Sequence, residues 1–327
     1  MKKRNNKIIV LIVVAVLFAV SLLIFILNYS KDNSSFSILE KKWINDNTSN
    51  VLDISVYNDV PVYGKSGKGV IFDLLDDFTT TYGINFNKIS YSVDSSSNLN
   101  KNAFRVLNNN ESLTNKDILL YEDNYVLVST EEEVINNIND IDNHTVAVLK
   151  KDLNTVSNDL SEVKKISYLQ KENVNELEEA LKNKETNYVI VPYNMYMDFI
   201  LKNDLHILYH LSDISKKYVL TIENKTFLDI MKKYYLGYQK NKQQTSYKTN
   251  FLSEFFYDKE ITEADRMSYN SSSYNVGYIT YMPFTGKEEK DLVGTLSNYL
   301  SGFEDLFDVD LKVKYYNNIE ELKKDLS

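Results

Sequence analysis

The sequence predicts an α/β protein, on two grounds. Short runs rich in Val, Ile, Leu and Tyr alternate with segments whose apolar residues recur at helical spacing, as strands joined by helices require. A β-α-β pattern written once at residues 54–91 is also written again at 276–316, so the architecture repeats within the chain.

In chain order, residues 53–57 (DISVY) read as a strand. Residues 69–80 (GVIFDLLDDFTT) read as a helix, with Val70, Leu74, Leu75 and Phe78 on one face. Residues 84–91 (INFNKISY) alternate with period two, as a half-buried strand does. Residues 117–121, 125–129 and 145–149 are short apolar runs suited to buried strands. Glu131, Glu132 and Glu133 read as the solvated first turn of a helix, where carboxylates favour the dipole. An amphipathic helix at 174–183, a strand at 188–191 and a helical segment at 193–202 follow. A strand at 218–222 and a helix at 226–239 close this part.

In the repeat, Pro61 pairs with Pro283 and Gly69 with Gly294. From those glycines the spacing is the same: Asp73 with Asn298, Leu75 with Leu300, Phe78 with Phe303, Ile84 with Val309, Phe86 with Leu311. A helical lead-in with a polar end precedes each copy, ILEKKWINDNTSN before the first and ITEADRMSYNSSS before the second. Unrelated β-α-β units share generic patterning, but the aligned Pro, Gly and apolar positions favour duplication. The second copy ends its pattern at a short helix over 318–326. One strand, a helix, another strand and half a crossover do not bury a core. The second copy is therefore expected to be incomplete and the protein to continue past Ser327.

A chain of 327 residues has room for two domains, and 43% hydrophobic residues suffice to bury real cores. The net charge of -9, with arginine only at Arg4, Arg105 and Arg266, argues against nucleic-acid binding. There are no cysteines, which excludes disulfides, thiolate metal sites, a cysteine nucleophile and a lipoprotein attachment cysteine. A cationic leader (MKKRNNK) precedes an apolar run over residues 8–27. About 20 apolar residues cross a bilayer core, whereas a signal-peptide core spans roughly 7–15 and ends in a small-x-small cleavage site. The sequence FILNYSKDNSS offers no such site. The expected arrangement is a cytoplasmic leader (1–7), a retained single-pass anchor (8–28) and a tether with lead-in helix (29–50), in the cell membrane with everything beyond about residue 28 extracytoplasmic.

Each copy resembles the start of bacterial extracellular solute-binding proteins of family 3, the type II periplasmic binding proteins or Venus flytraps. The residues that carry this are Val60-Pro61-Val62-Tyr63, Gly67, Gly69 and Asp73-Leu74 in the first copy, and Met282-Pro283-Phe284, Gly286, Gly294 and Asn298 in the second. The lead-in LEKKWINDN, with Trp43, is similar to the segment preceding flytraps in membrane-bound sensor proteins. LYEDNYVLVS resembles the run into the first hinge crossing, HTVAVLKKD the strand opening lobe two, and SDISKKYVLTIENKTFLDIMKKYYLGY the return crossing and closing helix. The resemblance implies a two-lobed fold with a hinge: a first flytrap at 51–250, a linker helix at 251–273 and the start of a second flytrap at 274–327. Lobe one is expected over 51–128 with 218–240, and lobe two over 130–216.

Family members hold an amino-acid carboxylate with a Thr-x-x-Arg element, because a guanidinium grips carboxylate in two parallel hydrogen bonds. That element is missing here, and Arg105 is the nearest guanidinium. The aspartate that holds the ammonium is replaced around Pro192 by Tyr193 and Asn194. The ligand-binding candidates are Tyr57, Tyr63, Asp73, Arg105, Tyr121, Tyr193, Asn194, Tyr281 and Phe284, with aromatic residues suited to stacking on a neutral or flat solute. His206 and His210 stand four apart, at helical spacing for a metal, but no acidic partner accompanies them. No catalytic constellation, phosphate loop, metal motif or cofactor signature is present, so no enzyme activity or cofactor is expected.

The resemblance implies the solute-sensing ectodomain of a membrane-bound histidine kinase or diguanylate cyclase, in which a small-molecule solute closes the lobes. The alternatives are a tethered solute-binding protein of an ABC transporter and a degenerate flytrap serving as an interaction module. The sequence leaves monomer and homodimer both open. Alkaline phosphatase fused after Ser35 should be active and remain with membranes; a processed protein released into the medium would contradict the anchor.

Overall fold

The computed structural model describes residues 36–95, 99–163 and 165–326. The anchor expected at 8–28 lies outside the described residues, among which no helix is long and apolar enough to cross a membrane.

The first described helix, α1 (Ile38–Asn47), is opened by a capping box between Ser37 and Glu40. Strand β1 (Val51–Tyr57) follows, then a hairpin of β2 (Asp59–Val60) and β3 (Gly64–Lys65), helix α2 (Val70–Tyr82) and strand β4 (Asn85–Tyr91), parallel to β1. The chain continues through β5 (Asn102–Leu107), β6 (Asp117–Ser129), β7 (Thr145–Leu149), α3 (Leu153–Asp159), β8 (Ser167–Lys171) and α4 (Val174–Lys182). Strand β9 (Tyr188–Pro192), α5 (Met197–Lys202), β10 (His206–Ile222), α6 (Lys225–Asn241) and α7 (Gln243–Asp258) complete the first unit. Its strands form one mixed sheet in the order β4-β1-β5-β10-β6-β9-β7-β8.

Two strands pass through both halves of this sheet. The lower part of β10, Lys217 to Ile222, pairs antiparallel with β5, which neighbours β1. Its upper part, His206 to Leu211, pairs with Tyr125–Ser129 of β6, which in turn pairs with β9. Residues 218–222 therefore belong to the β1 sheet, as the hinge assignment requires. The two strands expected at 117–121 and 125–129 are one strand of 13 residues, because the run crosses the hinge without a turn. β6 stays paired with β10 past Asn124 and gains β9 as a second neighbour from Tyr125 onward, so residues 125–128 lie with lobe two and not with lobe one as expected. Strand β10 is 17 residues long where only its last five were expected; Ser212, Asp213 and Ile214 are looped out between the pairs Leu211–Tyr125 and Ser215–Asn124.

Lobe two buries both faces of its sheet. Tyr125, Leu127, Val146, Val148 and Ile190 line one core, and Val126, Val128, Ala147, Leu149 and Val189 the other. Continuous apolar runs follow from that double burial. Glu131, Glu132 and Glu133 do not start a helix: Glu133 accepts from the Tyr188 hydroxyl at 2.8 Å and Glu131 from the Asn187 amide at 3.3 Å, which holds the segment against lobe two. His206 and His210 lie in β10 and share no helix face.

Beyond α7, helix α8 (Glu263–Ser271) leads into β11 (Ser273–Tyr278), the hairpin β12 (Gly286–Glu288) and β13 (Asp291–Val293), helix α9 (Thr295–Phe307), strand β14 (Asp310–Tyr315) and helix α10 (Ile319–Leu326). β11 and β14 pair in parallel, as β1 and β4 do. Gly69 and Gly294 each precede the repeat's helix, with φ of 119° and 100°. In the first unit the amides of Val70 and Ile71 donate to the carbonyls of Val62 and Tyr63, and in the second those of Thr295 and Leu296 donate to Pro283 and Phe284. These bonds place Tyr63 opposite Phe284 and Val62 opposite Pro283, so the expected pairing of Pro61 with Pro283 is off by one residue. The glycine sets the frame, and the loop before it differs between copies.

A Cβ on Gly69 would lie 2.6 Å from the Tyr63 carbonyl, on a backbone that L residues rarely adopt. Gly69→Ala should therefore destabilise the first unit by at least about 2 kcal/mol in denaturant titration. Wild-type stability in that variant would contradict the helix-start geometry.

Candidate functional site

The candidate site is the cleft where lobe one, lobe two and α7 meet. Its lobe-one wall begins at the end of β1. A tight turn, closed by the Tyr63 amide on the Pro61 carbonyl at 2.7 Å, holds Val62 at φ 64°, rare for a β-branched residue. The turn aims Tyr63 onto the connecting strands. Its ring stacks on Tyr121 of β6 with centroids 3.4 Å apart, and Tyr121 stacks on Tyr218 of β10 at 4.1 Å. Tyr57 meets Tyr218 edge-on at 5.7 Å. Tyr57, Tyr63 and Tyr218 are buried, and Tyr121 lies between the last two in the stack. Burial pushes the phenols of Tyr57, Tyr121 and Tyr218 far above their ordinary range, so they stay neutral and present only O–H groups.

Lobe two closes onto this stack. Met195 and Met197 belong to the same apolar cluster as the lobe-one core, and Tyr193 and Tyr196 pack against that cluster and against a lobe-two core alike. The cavity behind Tyr63 and Tyr121, toward α2 and α6, holds about 10 Å³, at or below what one water needs. The aromatic side chains expected to receive a solute are packed on one another.

At the crossing, Asp123 of β6 is fully buried. Its Oδ1 accepts from the backbone amide of Asn194 at 2.8 Å and from the Asn194 side chain at 3.1 Å, and its Oδ2 accepts from the Met195 amide at 2.9 Å. The lobe-two turn is thereby tied to the connecting strand. Burial pushes the Asp123 carboxyl up to about 6 against the opposing pull of these donors and of the Lys216 ammonium. Three further ties cross between the lobes. Lys151 reaches Asp94 at 2.5 Å. Lys65 of β3 sits 2.6 Å from Asp198 of α5 and 2.6 Å from Glu254 of α7. Lys216 joins Asn108 at 3.0 Å and Asp152 at 2.7 Å.

Helix α7 lies across the closed edge as a strap. Ser246 and Asn250 donate to Asp73 of α2 at 2.5 and 2.8 Å, and Tyr247 donates to Asn194 at 3.2 Å. Lys259, just past α7, reaches the Leu201 carbonyl at 2.7 Å and the Asp204 carboxylate. Asp198, Glu254 and Asp258 bring carboxylate oxygens within 4.8 Å of one another, the kind of set that holds a cation. The Lys65 ammonium already neutralises two of them.

The structure thus brings Tyr57, Tyr63, Tyr121, Tyr193 and Asn194 together at the cleft. Asp73 instead stands on the outer face of α2 as an anchor for α7. Arg105 lies within β5 opposite Val219, with its charge acting on Tyr91 and Asp117. Tyr281 and Phe284 are exposed in the second unit, stacked on each other at 5.8 Å, with Phe284 at the position Tyr63 holds in the first. Sequence reasoning missed Asp123, Asp152, Lys216 and Lys65. The available signal was charge inside otherwise apolar strand text, as in LLYEDNYVLV and SKKYVLTI.

No family model and no curated protein matches the sequence. Solved structures do. The periplasmic domain of BvgS from Bordetella pertussis superposes with a TM-score of 0.51 at 13% identity, over 89% of this chain and 61% of that one. The chain therefore spans less than two thirds of that domain. The BvgS VFT2 domain from the same organism gives a TM-score of 0.50 at 14% identity, over 65% of this chain and 97% of that one. An amino-acid ABC transporter substrate-binding protein from Streptococcus pneumoniae, bound to L-arginine, gives 0.46 at 16% identity over 65% and 99%. The two-lobed sheet with paired connecting strands defines a type II periplasmic-binding fold, the Venus flytrap. It is the fold of family 3 solute-binding proteins, as the sequence resemblance implied.

Because the folded chain holds a proton on Asp123 up to about pH 6 while the unfolded chain releases it near pH 4, this group's contribution to stability falls as pH rises through that window. Asp258, pushed up to about 6 by burial and then by the neighbouring charges of Asp198 and Glu254, acts in the same direction. Asp123→Asn should flatten the Asp123 part of the stability profile between pH 4 and 7 and, by turning an NH₂ toward an N–H, cost about 1–3 kcal/mol at neutral pH. An unchanged profile in urea titrations would contradict the assignment.

Proposed function

We propose that the chain is the extracytoplasmic sensing region of a membrane-bound signalling protein, anchored through residues 8–28. In this reading the first flytrap is a closed module held by its own side chains. The observation that carries it is the filled cleft: a three-tyrosine stack, apolar contact from Met195 and Met197, and ties across the lobes at Asp123, Lys65, Lys151 and Lys216. A solute entering here would have to displace that packing. Helix α7, bonded to both lobes and running on toward α8, is the route by which the state of the first flytrap reaches the second unit. Solute recognition falls to the second unit, where Tyr281 and Phe284 present exposed, parallel rings. The superposition over 89% of the chain on a periplasmic domain supports a tandem arrangement outside the cytoplasm. An output module of kinase or cyclase type completes the reading.

The first flytrap should bind no ordinary α-amino acid tightly. Burying a zwitterion without partners for its two charges costs several kcal/mol, and a loss of about 3 kcal/mol weakens binding more than a hundredfold. Calorimetry on the purified chain with a panel of amino acids should show no micromolar binding, and small-angle scattering should show no change in shape on adding them. Micromolar binding that disappears in Tyr63→Ala would overturn the closed-module reading.

A further inference from the structure

Lys216 is a lysine with its charge inside the protein. It stands on β10 just after the three looped-out residues and is 3% exposed, and its partner Asp152 is 2% exposed. The Lys216 Nζ lies 2.7 Å from Asp152 Oδ1, 3.0 Å from Asn108 Oδ1 and 5.9 Å from the centroid of the Tyr125 ring. Tyr125 also donates its hydroxyl to the same Asp152 oxygen at 2.9 Å. The other oxygen of Asp152, Oδ2, is buried without a hydrogen-bond partner.

A carboxylate, an amide oxygen and an aromatic face around one nitrogen are what recognises a primary ammonium. Here they come from different parts of the fold. Asn108 follows β5 in lobe one, Tyr125 belongs to the connecting strand β6, and Asp152 stands at the head of α3 in lobe two. An ion pair kept for stability alone gains little over apolar packing, because desolvation cancels most of the attraction. This one joins both lobes, and it leaves an acceptor idle that a tethered ammonium does not reach.

We propose that Lys216 is an intramolecular ligand: its ammonium occupies a primary-alkylammonium site assembled between the lobes. This extends the closed-module reading by naming what holds the cleft where a solute would. When the side chain is cut back, the cage accepts a free primary alkylammonium.

The test is chemical rescue in the full chain. Lys216→Ala removes three methylene groups and the ammonium, which together make n-propylammonium. The variant should lose the closed shape in small-angle scattering and melt at a lower temperature than wild type. Millimolar n-propylammonium chloride should restore both, whereas 1-propanol and sodium chloride at equal concentration should not. The double variant Lys216→Ala, Asp152→Asn should not respond to the amine. If Lys216→Ala does not fold in buffer, refolding in the amine is the readout, and recovery must depend on it. A variant that stays closed without the amine, or that no amine restores, overturns the proposal, as does equal rescue in the double variant. The closed-module reading fails separately. A wild-type chain that closes on an amino acid would remove it, while amine rescue of Lys216→Ala would still establish the site.

Discussion

Asp123 sits where the two connecting strands, paired with each other, pass from one lobe's sheet into the other's, and its carboxylate is the acceptor on which the lobe-two turn depends. At that point neither sheet half supplies a full ladder. β6 stays paired with β10 on both sides but has β9 as a second neighbour only from Tyr125 onward, and β10 has looped out three residues. The backbone amides of Asn194, part-buried, and Met195, buried, point there and need acceptors. One carboxylate meets them, together with the Asn194 side chain. An ionised group in such a place is costly unless every lone pair is used, and burial lifts this one toward neutrality while the donors hold it down. The orientation of lobe two against lobe one follows from how this conflict is met.

Closure is then distributed outward from the crossing. Stacked tyrosines fill the volume next to Asp123, methionines of the lobe-two turn seal it, and lysines fasten the rims. The pattern divides the work between area and charge. Apolar burial supplies undirected attraction between the lobes, and the ion pairs fix their register. The exposed pairs contribute little individually; the Lys216–Asp152 pair differs because removing one partner strands the other in the interior. Helix α7 adds bonds to both lobes from a third element, so that movement of either lobe would be felt along the chain that leads to the second unit.

The repeat offers an internal comparison. In the first unit Phe78 and Phe86 pack on Phe227 of α6, and Trp43 of α1 stacks on the same ring at 4.9 Å. The corresponding Phe303 and Leu311 of the second unit line an apolar cavity of about 490 Å³ together with Phe255, Phe256 and Phe307. The same local β-α-β unit thus presents a closed face in one context and an open one in the other. The local pattern specifies which face is apolar, and the neighbouring elements specify what covers it.

Much of the fold was legible in the sequence. Alternation of strands and helices and the glycine frame of the repeat are local signals, readable because periodicity and left-handed glycine positions depend on the residues themselves, whereas the hinge crossings were implied by the family resemblance. Gly69 and Gly294 were found this way; the return of residues 218–222 to the β1 sheet was instead what the family resemblance implied. The site was less legible. Tyr57, Tyr63, Tyr121, Tyr193 and Asn194 come together at the cleft, but whether they receive a solute or one another depends on how far the lobes close. Strand β5 escaped notice because Arg105 interrupts its short apolar run. Asp73 had the spacing of a family motif yet faces α7, a helix 170 residues onward whose position no local pattern encodes. Asp123, Asp152 and Lys216 were not singled out in the sequence. Only the tertiary structure makes them partners, because a charge is stabilised in an interior by groups brought to it from distant segments, and that convergence is a property of the folded chain.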